Sequence, residues 1–405
     1  MADWWQRCQV TTVAMESTGV YWIPLYEILE RRGLQPYVVN ARHMKNVPGR
    51  RTDWHAGQWI QFLHSVGLLR AAFRPADQVC AVRAIMRHRP QLVEMAAQHV
   101  QHIQQALTQM NLQIHHVISD ITGTTGLAIL DAIVAGQRDP RELAQWRDPR
   151  IKASRETVEK SLLGNWREEH LFTLQQSLTL YRSYLSQIVA AEQKIASMLG
   201  AFTPRVDPQH KPLPEDTQRN RSGAKRRRKA GHSTSFDLRI EAYKLFGVDV
   251  TQIPGLESNV LPLFTEVGRD LSRWPTAAHF VSWLALCPGN DISGGRVLWR
   301  GVRKANNRAG QIFRMAAQSL HRSATRLGDY LRRLKGKLGP AGATTATARK
   351  IAIIFYTLVT QQTEFNHSIW EVSEAKRAQR TQTRLERQAR RLGFQLLPLS
   401  GHANA

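Results

Sequence analysis

Cysteine is scarce. The chain has three in 405 residues, Cys8, Cys80 and Cys287, odd in number and far apart. That argues against a disulfide framework and against a zinc cage. Long apolar runs are missing too. The longest nearly apolar stretch, Ile351 to Val359, is about nine residues, whereas a helix that spans a bilayer needs roughly eighteen or more. Met1-Ala-Asp-Trp-Trp-Gln-Arg7 lacks a basic end followed by an apolar stretch, so no signal peptide is expected. Acids are the third shortage: 32 Asp plus Glu stand against 56 Lys plus Arg, a net charge of +24. With 42% hydrophobic residues the chain has ample material for packed cores, which excludes wholesale disorder. The expectation is a soluble protein of a reducing compartment. Its excess of cations points to a polyanionic partner, nucleic acid before acidic membrane.

The length suggests two or three domains at roughly 100–200 residues each. Residues 1–75 alternate strand and helix. Val10-Thr-Thr-Val-Ala-Met15 suits a buried strand, Val20 to Arg32 has apolar residues at helical spacing with Gly33 at its stop, and Pro36 to Asn40 is a second short strand. A helix from Trp54 to Leu69 follows Thr52-Asp53, both good N-cap residues. Such alternation predicts a parallel or mixed sheet with helical cover. Residues 76–203 read as helical, with Pro90 expected to end or kink the first helix. Leu171, Leu174, Leu178, Tyr181, Leu185, Ile188, Ile195 and Leu199 step by threes and fours, with Glu192 at the one seat that breaks the seam. The 168–199 helix therefore packs along another helix, in an antiparallel pair within the chain or in a homo-oligomer. Residues 204–235 are the evident basic linker, 236–367 form a third, mostly helical block with a glycine-rich turn at Asn290 to Gly295, and 368–405 are an Arg-rich tail.

Few residues stand out for chemistry. Glu16 directly follows the first strand, at the edge of an open α/β sheet where ligands collect. Asp53 lies in Gly49-Arg-Arg-Thr-Asp-Trp54, at a helix entrance. Two carboxylates converging on one sheet edge could hold Mg²⁺ with water and substrate phosphate oxygens; the plainer alternatives are a polar strand end and an N-cap. In Asn290-Asp-Ile-Ser-Gly-Gly-Arg296 the two glycines leave the Ser293 hydroxyl uncovered and let a phosphate approach the backbone. Arg296, Arg300, Arg303 and Lys304 follow closely and could neutralise that phosphate. Such a serine can attack a phosphodiester, although Ser-Gly-Gly is equally an ordinary turn. Ile253-Pro-Gly-Leu-Glu257 before an apolar helix is like half of a helix-hairpin-helix, whose backbone N–H groups face a phosphate, or else a simple turn. The run Lys225, Arg226, Arg227, Arg228 and Lys229 is a sequence-blind phosphate contact or a solvated linker.

Placed in order, Val10-Thr-Thr-Val-Ala-Met-Glu-Ser-Thr-Gly-Val-Tyr-Trp-Ile-Pro24, Val39-Asn-Ala-Arg-His-Met-Lys-Asn-Val-Pro-Gly49, Asn165-Trp-Arg-Glu-Glu-His170 and Leu286-Cys-Pro-Gly-Asn-Asp-Ile-Ser-Gly-Gly295 resemble the DEDD transposases of bacterial insertion sequences. The match is to the insertion sequence 110 family, and more closely to its 1111 subgroup, from about residue 8 to 367. The resemblance implies an RNase H-like metal domain, a helical coiled-coil middle and a smaller C-terminal domain with a serine nucleophile. Glu16 and Asp53 would be acidic metal ligands for Mg²⁺ and Ser293 the nucleophile. DNA is the implied partner, and because some members choose their sites with an RNA from the element, a guide RNA is also expected. A bacterial, nucleoid-associated cytoplasmic location goes with that. Two family acids are missing: the first belongs on a leading strand some forty residues before residue 10, and the last falls at Ala56. The expectation is an N-terminally truncated copy with impaired activity. The alternatives are a non-catalytic DNA- or RNA-binding remnant and a basic helical scaffold.

Overall fold

The computed structural model describes residues 1–41, 44, 55–69, 71–215, 236–302, 307–366, 379 and 382–395. Two compact units appear, Met1–Ala76 and Asp77–Ala405. Helix dominates, and among the described residues no helix is long and apolar enough to cross a membrane.

The first unit is α/β. Helix α1 (Ala2–Arg7) leads into β1 (Thr12–Glu16), α2 (Trp22–Arg31), β2 (Gln35–Val39) and α3 (Ala56–Ser65). The two strands pair in parallel, Thr12 opposite Gln35 and Glu16 opposite Val39. Because alternate residues face opposite ways, the sheet has two packed faces. Met15 and Val38 join Ala2, Leu29 and Leu34 under α1 and α2, while Val39 joins Met44, Trp59, Leu63 and Leu69 under α3. Gly33 stops α2 with a φ of +76°. The third helix differs from expectation: it starts at Ala56, and its N-cap is His55 rather than Thr52-Asp53, which lie outside the described residues.

The second unit begins with a long antiparallel pair, α4 (Asp77–Gln109) and α7 (Glu168–Gly200), bridged by α5 (Thr124–Val134) and α6 (Arg155–Ser161). Tyr184 stacks on His99, and Glu192 meets Arg89, which sets the antiparallel register. Leu174, Leu178, Tyr181 and Ile188 of the leucine seam are buried in the same cluster as Leu92, Ala96, Ile103 and Leu107 of α4. The partner of the seam is therefore inside the chain. Of the two outcomes expected at Pro90, an end or a kink, the end is excluded, since helix α4 runs through Pro90. Arg83 Nε donates to the Thr265 carbonyl at 2.7 Å and Arg87 pairs with Glu266 at 2.8 Å, tying α4 to α9 below.

Next come α8 (Leu238–Phe246), α9 (Val260–Val267), α10 (Ala277–Trp283), a hairpin of β3 (Pro288–Ser293) and β4 (Arg296–Val302), α11 (Arg308–Ser319) and α12 (Arg326–Gln361). Their core is aromatic: Phe246, Phe264, Phe280, Phe313 and Phe355 are fully buried and meet edge to face or stacked. Helix α12 kinks at Gly339 (φ +70°), directly before Pro340. Residues 204–215, expected to be free linker, are docked on this block. Arg205 N donates to the Lys244 carbonyl at 2.8 Å, and Arg239 reaches the Pro214 carbonyl at 2.5 Å.

The Ile253-Pro-Gly turn is likewise packed rather than open. Gly255 has a φ of +86°, and a Cβ there would lie 2.4 Å from the Ala316 carbonyl of α11. Glycine is needed here for both backbone and space, so the turn is a packing joint between helices. Gly255→Ala is expected to destabilise the second unit by about 2 kcal/mol or more, from left-handed strain and the clash together. Urea unfolding checks this, and a loss under about 0.5 kcal/mol, the range of an ordinary surface change, would sink it.

Candidate functional site

Glu16 is the last residue of β1 and half-buried at the C-terminal edge of the sheet. One carboxylate oxygen accepts a hydrogen bond from Thr18 Oγ1 at 2.8 Å. Ser17 N continues the ladder to the Val39 carbonyl at 2.9 Å, so the chain leaves the sheet only after Glu16 is fixed. Gly19, with a φ of +60°, then turns it toward α2. Across from Ser17, β2 ends and Asn40 follows. The edge thus offers Glu16, Ser17, Thr18 and Asn40, all oxygen-bearing. Residue-type reasoning found only Glu16 of these four. Position immediately after a strand end, applied to both strands, would have found Asn40 as well.

Asp53 lies outside the described residues, as do Arg303, Lys304 and the run Lys225 to Lys229. Ala56 is the exposed first residue of α3 and supplies no side-chain oxygen. Among the described residues no group of three or more His, Cys, Asp or Glu side chains is gathered to hold a metal ion. Mg²⁺ binds through one or two carboxylates with water and substrate phosphate oxygens. Glu16 is the only one of the expected pair within the described residues, because Asp53 lies outside them, so the described residues do not make up the whole expected ion site.

Ser293 sits in the second unit and is the last residue of β3. The two strands of the hairpin are joined by Gly294 (φ +54°) and Gly295 (φ +75°), the two successive positive φ values of a type I′ turn. Ser293 and Arg296 are therefore direct cross-strand partners, and Ile292 pairs with Val297 on the opposite face. The register slips between Asp291 and Ile292, because Asp291 pairs with Trp299 and Leu298 is the extra residue of a bulge. Every residue from Ile292 to Leu298 is exposed, and a Cβ built on either glycine meets nothing within 4 Å. Among the described residues no hydrogen bond ties down the Ser293 hydroxyl. The glycine pair accordingly does what a tight turn demands and leaves the serine open. Arg300 pairs through its backbone with Asn290.

The roots of the hairpin are held firmly. Asn307 caps α11 by accepting from Gly310 N at 3.0 Å, and its amide donates to the Trp283 carbonyl at the end of α10 at 2.8 Å. Arg314 Nη2 donates to the Ala285 carbonyl at 2.8 Å, and burial pushes its guanidinium below the usual arginine range. Ala285 itself has a positive φ of 53°. A rigid helical base thus carries an exposed two-stranded ribbon with a serine and an arginine side by side at its tip. Sequence reasoning missed both strands and the clamp made by Asn307. An N-cap residue directly before Arg308-Ala-Gly-Gln was the available signal for the clamp.

Residues 1–112 match a transposase family model, that of the DEDD transposases of IS110. Residues 249–332 match the transposase model of the IS116/IS110/IS902 family. No curated protein matches the chain. Glu16 falls within the first matched segment and Ser293 within the second, so each candidate site lies in a segment similar to a transposase family.

Proposed function

We propose that this chain, two segments of which match transposase family models, is a DNA transposase of an insertion sequence using Ser293 as its nucleophile. The observation that carries the reading is the pairing of Ser293 and Arg296 at the open tip of a clamped hairpin inside the second matched segment. In the reaction the Ser293 hydroxyl oxygen attacks a DNA phosphorus. The Oγ–P bond forms as the P–O bond to the leaving deoxyribose oxygen breaks; the serine proton goes to solvent, and the leaving alkoxide takes one back. Attack by a second DNA hydroxyl on the phosphoserine ester reverses the exchange and frees the serine, so no energy source is consumed. Arg296 neutralises the phosphate charge that builds up in the transition state. Arg300, Arg303 and Lys304 follow closely in the sequence and are proposed as further contacts to DNA phosphates.

The first domain is proposed to be RNase H-like and of the 1111 subgroup, with Glu16 and Asp53 as its remaining acidic pair for Mg²⁺. Ala56, where the family resemblance calls for a carboxylate, leaves that set short, so recombination by this chain is proposed to be impaired while nucleic-acid binding persists. A guide RNA is a proposed partner, as is a second copy of the chain. Because the seam of α7 is filled by α4, the 168–199 helix would self-associate through its outer residues, of which Phe172 and Val189 are exposed.

Binding to duplex DNA tests the reading, through its salt dependence. Residues 219–229 carry seven Lys or Arg and no acid. Each phosphate contact adds about 0.9 to the slope of log K against log salt on B-DNA. Deleting 219–229 is expected to lower the slope by several units and to leave any sequence preference intact. An unchanged slope would reduce the segment to a linker.

A further inference from the structure

We propose that Ile292 and Leu298 form an apolar wedge that unstacks a base step beside the phosphate presented to Ser293. The inference rests on the transposase reading and adds positioning residues to its site. Ile292 is 61% exposed and Leu298 70% exposed, on a ribbon whose base is clamped between α10 and α11. Val297, the cross-strand partner of Ile292, is also exposed. Large aliphatic side chains held in water at a rigid tip gain free energy only when something covers them.

Charge complementarity selects the cover. Between residues 288 and 304 there are four cations, Arg296, Arg300, Arg303 and Lys304, against one acid, Asp291. A protein surface seldom shares that signature, whereas a nucleic-acid duplex offers phosphates outside and an apolar base stack within. A two-stranded ribbon fits the major groove of DNA. Proteins that bend DNA insert Leu, Ile, Met or Phe between base steps, spending unstacking energy to obtain a kinked duplex.

The two faces of the ribbon divide the labour. Ser293 and Arg296 share one face and address the backbone; Ile292 and Val297 share the other and address the bases. The bulge adds Leu298 to the strand without a cross-strand partner of its own, and bulges re-aim side chains next to active sites. Unstacking a step loosens the sugar–phosphate chain there, which gives an attacking oxygen the in-line approach that a regular duplex restricts.

The test compares two duplexes of mixed sequence with the full chain, one fully paired and one identical except for a central unpaired step. A wedge spends less energy on a step already unstacked, so the unpaired duplex is expected to bind about tenfold more tightly. The double variant Ile292→Ser, Leu298→Ser is expected to shrink the preference below about threefold while changing affinity for the paired duplex by no more than about twofold. Leu298→Met is expected to keep the preference, since methionine also wedges, and Leu338→Ser, at an exposed leucine on α12, is expected to leave it unchanged. Equal binding of both duplexes by the unsubstituted chain, or an undiminished preference in the double variant, overturns the wedge alone. Loss of self-association in the double variant with the preference intact also overturns it and assigns the hairpin to contact between copies. No binding to either duplex overturns the transposase reading together with the wedge.

Discussion

In a version of the chain whose acidic set has been completed, Ala56→Asp among the changes, a nicked duplex is expected to yield a covalent protein–DNA adduct that survives a denaturing gel, and Ser293→Ala is expected to remove it entirely. The effect is all or none because the adduct is the Oγ–P bond and alanine has no oxygen to form it. Folding should not change. Ser293 is exposed, the turn geometry belongs to Gly294 and Gly295, and the hairpin is anchored at Asn307 and Arg314 rather than at its tip. Arg296→Gln should keep the adduct but slow its formation by roughly 10²-fold, the scale of losing one preorganised donor to a developing oxyanion. An adduct of undiminished yield in Ser293→Ala would place the nucleophile elsewhere.

The N-terminal α/β unit was legible because its signals are physical and local. Met15, Val38 and Val39 are buried and Val13 half-buried on the two faces of the sheet, and a buried strand announces itself by β-branched and apolar residues. The helix Val260–Val267 was legible for a similar reason, as six of its eight residues are buried. The hairpin was not. Its tip residues Ile292 to Leu298 are all exposed, so no buried face imposes a period of two, and Ser-Gly-Gly reads equally as a loose turn or as the type I′ closure that it is. The first half of α12 carries little periodic signal because, among Arg, Lys and Gly, only Leu327, Gly328 and Leu331 are buried there. Pro90 allowed either an end or a kink, and the end did not occur. An interior proline costs a helix about 3 kcal/mol, yet α4 continues because Leu92, Ala96, Ile103, Ala106 and Leu107 beyond it are buried in one cluster with α7. For the site, strand-end position located Glu16, while Asn40 needed the second strand as well, and the pairing of Ser293 with Arg296 needed the turn type.

The break in the leucine seam at Glu192 predicts the largest stability effect in the second unit. Glu192 is 4% exposed, and its Oε1 accepts from both Arg89 Nε at 2.8 Å and Arg89 Nη2 at 2.6 Å. Arg89 keeps 16% of its side-chain surface, so water screens the pair only slightly. Removing one partner takes this charge-assisted pair away from a charge that stays largely out of water, in a seam whose other seats include the buried Ile188, Ile195 and Leu199. Glu192→Ala is therefore expected to cost about 3–5 kcal/mol, and Arg89→Ala a similar amount. Desolvating two charges is itself expensive, however, and a well-packed apolar pair of similar volume spends nothing on it. Arg89→Met combined with Glu192→Leu is accordingly expected to lie within about 1 kcal/mol of the unsubstituted chain or to exceed its stability. Urea unfolding of the unsubstituted chain, Arg89→Met, Glu192→Leu and the double variant that combines them closes a cycle and gives the coupling between the two sites directly. If the single losses simply add in the double variant, the pair is not a coupled unit, and the polar seat at Glu192 must owe its tolerance to something other than Arg89.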